Sequence, residues 1–118
     1  MSLLTQKRWP VWLEGGSRKV PAVLVADKGV LELRLAKALR TQRVHRYDDP
    51  ECFIVTKVVN KDFYIRGGQQ TIGYLACLRD MGTSDGAEQL RMKNRHDAKS
   101  LMRWLARHYP ERNEPFND

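Results

Sequence analysis

The clearest alternation of apolar and polar positions lies in the middle of the chain. Residues 53–59 read FIVTKVV, apolar on both faces of a strand, and residues 63–66 read FYIR, which alternate as half-buried strands do. Asn60 and Asp62 favour a turn between the two runs, because their short side chains bond their own backbone. The pattern predicts an antiparallel hairpin whose first arm is a central strand. The side chains expected to be buried there are Phe53, Ile54, Val55, Val58 and Ile65.

Two structures compete for the segment before this hairpin. Residues 20–26 are rich in valine and predict a strand, with Pro21 at its start or at a sheet edge. Residues 27–29 then either form a turn, with leucines alternating on a second arm, or begin a capped helix. Because residues 32–40 are almost entirely strong helix formers, we predict a helix over 28–42.

Shorter patterns supply three further elements. A brief apolar run over 10–14 predicts an edge strand or a capping segment, and residues 43–47 predict a short strand. Apolar residues at helical spacing predict a helix over 69–81, which Gly82 ends as a left-handed cap.

The last part of the chain carries the most regular helical stripe. Apolar residues recur every three or four positions over 98–109, and Pro110 ends the helix. Before it, apolar residues alternate with cations over 88–94, which predicts a strand; a short helix capped by Asp85 is the alternative. The stripe of the C-terminal helix comprises Ala98, Leu101, Met102, Leu105 and Tyr109.

The predicted order of elements is β-α-β-β-α-β-α, with a short strand ahead of it. A chain of 118 residues makes one domain, 1–118, with residues 111–118 as a polar tail that frays. The middle six elements match the split βαβ pattern of ferredoxin-like folds. We therefore expect an α+β fold: an antiparallel sheet with helices packed on one face, plus a C-terminal amphipathic helix.

Charge separates into blocks along the chain. The net charge is +7, from 21 Lys and Arg against 14 Asp and Glu. Residues 1–50 hold ten basic and five acidic side chains, residues 87–112 hold seven and three, and residues 51–86 are balanced. Basic blocks of this kind favour nucleic acid or an acidic protein surface as the partner.

Composition excludes several classes of protein. With 42% hydrophobic and 30% charged residues, the chain has the composition of a globular rather than a disordered protein. No apolar run approaches the roughly twenty residues of a membrane helix. The basic N-terminus lacks the apolar core of a signal peptide, so a cytoplasmic location is expected. Cys52 and Cys77 have no histidine at ligand spacing, so we expect buried, reduced thiols and neither a metal nor a cofactor.

The strongest candidate for binding is a line of cations in the C-terminal part. Lys99, Arg103 and Arg107 follow one another at four-residue intervals on one face of the predicted helix, with no acidic residue between them. The cations that lead into this face from the predicted strand are Arg91, Lys93 and Arg95. Six aligned cations can follow the phosphates of a nucleic acid. The alternative is a solvated helix face, the usual role of spaced cations.

Two weaker candidates surround the predicted hairpin. Tyr64 and Arg66 share its outward face, where an aromatic ring can stack on a nucleic-acid base. Gly67, Gly68 and Gln69 join that strand to the predicted helix, and free backbone N–H groups at a helix start can hold a phosphate. A plain turn is the alternative, because glycine is the usual residue at such corners.

A second stripe of cations depends on the predicted helix 28–42. Its members recur at three-residue spacing: Arg34, Lys37, Arg40 and Arg43. If the segment is not helical, the stripe does not exist.

Acid–base side chains cluster once, ahead of the central hairpin. His45, Asp48, Asp49 and Glu51 could bind a divalent metal for phosphodiester chemistry. A turn is the simpler interpretation, because Asp-Asp-Pro-Glu is ordinary turn sequence, and no serine lies in a nucleophile-elbow context. We therefore do not expect an enzyme, and a metal-dependent nuclease ranks last among the hypotheses.

Together these patterns predict a small basic nucleic-acid-binding protein. It would contact phosphates through one face of the helix over 97–109, largely without sequence specificity. The alternative is a non-enzymatic interaction module, an inhibitor or adaptor, whose basic face docks an acidic partner surface. An open groove along the cations would favour nucleic acid, and a flat patch would favour a protein.

Overall fold

The computed structural model describes residues 6–14, 20–37, 40–61, 69–83 and 86–116. Seven strands and one helix are formed within these ranges. The strands are β1 (Lys7–Leu13), β2 (Val20–Asp27), β3 (Val30–Lys37), β4 (Arg40–Tyr47), β5 (Pro50–Lys61), β6 (Gln69–Asp80) and β7 (Glu88–Met92). The helix is α1 (Arg95–His108).

All seven strands belong to one antiparallel sheet in the order β4-β3-β2-β1-β7-β6-β5. Strands β4 and β5 therefore stand at opposite edges of the sheet. Only Asp48 and Asp49 separate them along the chain, and two residues span about 7 Å at most. The sheet must curl to bring its two edges together at this corner, and it forms a half-barrel.

A single carboxylate holds the β4–β5 corner. Asp80, at the end of β6, is 3% exposed and accepts hydrogen bonds from the backbone N–H groups of Asp48, Asp49 and Gly82 at 3.0–3.3 Å. His45 Nε2 lies 3.4 Å from the same carboxylate. Burial alone would raise the pKa of Asp80, but these hydrogen bonds outweigh it and hold the pKa below its ordinary value.

The core lies on the concave side of the sheet. Alternate residues of each strand face inward, so register partners such as Trp9 and Leu24 share the core. Helix α1 covers this concave side, and its own buried stripe completes the core. The buried helix residues are Ala98, Leu101, Met102, Trp104 and Leu105.

Specific contacts fix the helix across the half-barrel. Asn94 caps its start by accepting a hydrogen bond from the N–H of Asp97 at 2.8 Å. In mid-helix, Ser100 Oγ accepts from the indole N–H of Trp9 at 3.1 Å. Just past the end, the Tyr109 hydroxyl donates to the carbonyl of Gly29 at 2.7 Å. The helix therefore ties β1 and the β2–β3 turn to the opposite half of the sheet.

The predicted fold class is wrong. The sheet is antiparallel as expected, but two of the three predicted helices are strands, so no layer of helices packs on it. The C-terminal helix over 98–109 is confirmed, beginning slightly earlier than predicted. The strands predicted at 10–14, 20–26, 43–47 and 88–94 are confirmed as β1, β2, β4 and β7.

The predicted helix over 28–42 is replaced by β3 and the start of β4. Lys28 and Gly29 both have positive φ, at 53° and 79°, as the central residues of a type I′ hairpin turn do. This turn pairs Asp27 with Val30. Alternate leucines of β3 then enter the core, which overrides the helix propensity of the segment.

The predicted helix over 69–81 is the strand β6. From Tyr74 to Leu78 every residue is buried, on both faces of the sheet. A strand covered on both faces has no alternation to reveal it, and its apolar positions imitate helical spacing.

The predicted central hairpin is correct only in part. Residues 53–59 do form a strand, but β5 continues through Asn60 and Lys61, which pair with β6 instead of turning. The strand also stands at an edge, and Phe53 is 57% exposed and Val55 37% exposed, so their predicted burial is wrong. The predicted second arm, 63–66, lies outside the described residues.

We expect the Asp80→Asn substitution to lower the free energy of unfolding by about 1–3 kcal/mol, because an amide leaves part of this donor set without an acceptor. The pKa of Asp80 is lowered in the folded state, so its contribution is present above the ordinary carboxyl pKa. The contribution is lost as pH falls through the folded-state value. Urea unfolding between pH 3 and 7 should therefore show a difference from wild type that shrinks below about pH 4. The control is Asp48→Asn at an exposed carboxylate, and a difference independent of pH would contradict this role.

Truncation of one side chain in β6 and one in β5 should distinguish a core position from an edge position. Leu78 is fully buried, so Leu78→Ala should destabilise the protein by about 2–5 kcal/mol. Phe53 is more than half exposed, so Phe53→Ala should cost no more than about 1 kcal/mol. Equal losses in urea unfolding would show that β5 is not an exposed edge.

Candidate interaction surface

The side of α1 that faces away from the sheet is basic. We call it the basic face and define it by His96, Lys99, Arg103 and Arg107. These residues lie three or four positions apart, opposite the buried stripe of the helix. His96, Arg103 and Arg107 are exposed and Lys99 is half-buried. The predicted alignment of the last three therefore holds, while His96 was not predicted as a member.

The two arginines of the basic face are available for a partner. Within the described part of the chain, neither Arg103 nor Arg107 forms an ion pair. Asp97 is half-buried at the helix start, where Asn94 caps it. The charges of Arg103 and Arg107 are thus left without a paired carboxylate in the described part of the chain.

The other predicted cations do not all extend this face. Arg91 lies in β7 and forms an ion pair with Glu14 at 2.8 Å, so its charge is neutralised locally. Lys93 and Arg95 are exposed where β7 leads into α1. The line of six cations is therefore interrupted at its first member.

The remaining predicted binding residues stay predictions. Tyr64, Arg66, Gly67 and Gly68 lie outside the described residues. Gln69 begins strand β6 rather than a helix. The helix start on which the anion-binding hypothesis rested is therefore absent at that position.

The second cation stripe required a helix over 28–42, so it is wrong. Arg34 lies on β3 and forms an ion pair with Glu32 at 2.7 Å. Lys37, Arg40 and Arg43 lie on β3 and β4, and their side chains are outside the described set.

Neither cavity described in the structure adjoins the basic face. One of about 500 Å³ lies between β5 and the C-terminal segment, and one of about 260 Å³ lies between Asp49 and the end of α1. No residue of the basic face lines either of them. The basic face is the outer side of a single helix, a convex surface, and neither of the described cavities forms a groove along it.

Two members of the predicted acid–base cluster form contacts that hold the fold together. His45 lies beside Asp80 at the β4–β5 corner, and Asp49 accepts a hydrogen bond from Arg112 at 2.8 Å. The side chain of Asp48 is 74% exposed. Among the described residues, no three His, Cys, Asp or Glu side chains are placed to hold one metal ion.

Tyr47 extends this corner into the core. Its ring packs on His45 with centroids 4.4 Å apart, and its hydroxyl donates to Glu88 Oε1 at 2.9 Å. Burial, and then the charge of Glu88, raise the pKa of Tyr47 far above its ordinary value. The hydroxyl stays protonated and serves as a fixed donor that joins β4 to β7. Neither Tyr47 nor Asp80 could be identified from sequence, because the residues that these side chains join to their own strands lie more than thirty positions away.

Both cysteines are free and buried, as predicted. Burial raises the pKa of Cys52, with a further rise from the charge of Cys77, and burial raises the pKa of Cys77 as well. Since the thiolate is the nucleophile, neither residue is suited to covalent catalysis at neutral pH.

Thiol reactivity tests this arrangement. Alkylation by iodoacetamide at pH 8 should be slow for both cysteines in the folded protein and fast in urea, because unfolding restores water to the thiolate. The single variants Cys52→Ser and Cys77→Ser assign the two rates. Rapid labelling of Cys52 in the folded protein would contradict its burial in the core.

Comparison with known proteins gives no family: no family model, curated protein or solved structure matches the chain. Within the described residues, no helix has the length and apolar character needed to span a bilayer.

Proposed function

We propose that this protein is a non-enzymatic interaction module whose basic face docks an acidic surface of a partner protein. The observation that carries the proposal is the convex basic face, where Arg103 and Arg107 are exposed and unpaired within the described structure. Arginine suits such an interface because its planar guanidinium forms paired hydrogen bonds with carboxylates.

The shape and size of this face favour a protein over a nucleic acid. Proteins that follow a phosphate backbone combine many cations, commonly six to ten contacts, or enclose the strand in a basic groove. Here the basic face has three permanent cations and His96, and Arg91 is neutralised by Glu14. A small convex patch fits an acidic protein surface, where charge complementarity speeds association and fixes orientation.

Nucleic-acid binding is the second candidate function. It is supported by the geometry of α1, a helix of fourteen residues with an exposed cationic side. The major groove of duplex DNA admits a helix of this diameter. A binding assay therefore has to include both classes of partner.

Charge reversal on the basic face should separate the two candidates. The probes are a labelled glutamate-rich peptide and random duplex and single-stranded oligonucleotides, at about 0.1 M salt. We expect the peptide to bind and the Arg103→Glu/Arg107→Glu variant to weaken it by at least about tenfold, or about 1.4 kcal/mol. Stability should change little, because exposed positions seldom contribute more than about 0.5 kcal/mol each.

The matched control is Lys7→Glu/Arg8→Glu, which makes the same charge change at exposed positions of β1. It should retain peptide binding if the basic face, rather than the net charge, is responsible. Oligonucleotide binding with dissociation constants of about 10⁻⁴–10⁻⁶ M, lost only in the α1 variant, would replace this proposal with the nucleic-acid function.

A further inference from the structure

On the side of β5 that faces away from β6, the backbone groups at the start of the strand have hydrogen-bond partners. Within the strand, hydrogen-bonding groups alternate between β6 and the open side. The carbonyl of Asp49 accepts from Met81 on the β6 side, whereas the N–H of Cys52 points away from β6. By this alternation, the N–H and C=O groups of Ile54 and Thr56 also point to the open side.

The side chain of Asn113 closes the first part of this edge. Its amide donates to the carbonyl of Pro50 at 2.9 Å and accepts from the N–H of Cys52 at 2.8 Å, as a neighbouring strand would. It also donates to the carbonyl of Tyr109 at 3.0 Å, and the residue is only 5% exposed. Asn113 is therefore held by three hydrogen bonds, two to β5 and one to the residue after α1.

Beyond Asn113 the edge is open in the described structure. No hydrogen bond connects the backbone of Ile54 or Thr56 to the described part of the C-terminal segment. The outer face of the same stretch carries Phe53 and Val55, two of the three exposed large hydrophobic residues described. Unpaired edge groups beside apolar side chains are a template for a further strand.

A groove adjoins this edge. It has a volume of about 500 Å³, within the range of ligand-binding clefts. Ile54 and Met102 line it from the core side and Phe53 from the outer side, so it opens at the edge of β5. Residues 110–116 form its other wall.

The groove is acidic although the chain carries a net charge of +7. Three carboxylates line it, those of Glu51, Glu111 and Glu114. The one cation in the lining, Arg112, is paired with Asp49. The local charge thus complements a basic side chain, which the rest of the protein would repel.

We propose that the open edge of β5 binds a short extended segment of a partner protein, which adds as a strand and places a lysine or arginine side chain in the groove. Residues directly opposite each other in a sheet share a face. The residue opposite Ile54 therefore points to the side of the groove, and its two neighbours lie beside Phe53 and Val55. The segment that fits alternates basic and apolar residues.

The same geometry disfavours a second copy of this chain as the occupant. Strand β5 has twelve residues, and a copy that paired along it would meet Asn113 wherever it extended past Ile54. It would also bring a second set of the three glutamates to the acidic groove. A short segment that ends at Asn113 avoids both obstacles.

The probe is a short fluorescent peptide of alternating valine and lysine, and binding is followed by anisotropy. We expect saturable binding that Thr56→Pro weakens by at least about tenfold, because proline removes an N–H on the open side. Proline is tolerated at such edge positions. Thr56→Val keeps the N–H and is the matched control. A probe methylated at its pairing amides should fail on the unmodified protein, which tests the strand addition even if the proline variant does not fold.

The requirement for negative charge in the groove is tested separately. Glu111→Gln/Glu114→Gln should weaken the valine–lysine probe severalfold, and a valine–glutamate probe should not bind. The variant Arg103→Glu/Arg107→Glu should leave this binding intact, so failure of the proposed function and failure of this inference are separate results.

Three outcomes would overturn the inference. One is the absence of binding to folded wild-type protein, and another is equal affinity for the methylated and unmethylated probes. The third is a concentration-dependent dimer in analytical ultracentrifugation that Thr56→Pro abolishes, which would assign the edge to a second copy.

Discussion

The structure depends on the shortness of the link between its two edge strands. Because two residues connect β4 to β5, the sheet has to curl until its edges meet, and the peptide N–H groups at that corner turn away from both ladders. Asp80 supplies the acceptor that they need. Buried backbone donors without a partner are costly, so this one carboxylate allows a seven-stranded sheet to close on itself at this corner.

Curling decides where the remaining apolar surface goes. A curled sheet has a concave side too wide for its own side chains to fill, and α1 fills it. Trp9 and Trp104 meet there with ring centroids 6.3 Å apart, edge to face. Once five residues of the helix are committed to this core, its opposite side is left to solvent, and that side carries the basic face. The segment after the helix then reaches β5, so one C-terminal element both completes the core and shapes two surfaces of opposite charge.

The sequence predicts those elements whose signal is local. The helix over 98–109 and the strand β2 were predicted correctly because the apolar spacing of the one and the valine-rich run of the other each lie within a single segment of the sequence. The cations of the basic face were found for the same reason. The prediction of a helix over 28–42 is wrong because helix propensity contributes less free energy than pairing with β2 and burial of Leu31 and Leu33. The predicted burial of Phe53 is wrong because the sequence does not distinguish a hydrophobic residue on an edge strand from one on a central strand.

The roles of Asp80 and Asn113 were beyond sequence reasoning for a different reason. Each is a short polar residue in an unremarkable local context, and each acts on backbone groups 31 to 63 positions away. Both satisfy donors that a curled sheet would otherwise leave unpaired. Asn113 also limits what can join the edge of β5. Its amide side chain forms the hydrogen bonds of one residue of a neighbouring strand, so a further strand can pair only beyond it. A barrel that closed fully would have no edge to protect. A half-barrel must protect its edges residue by residue, and where the protection by Asn113 ends at Ile54, the outward backbone groups of β5 have no partner in the described part of the chain.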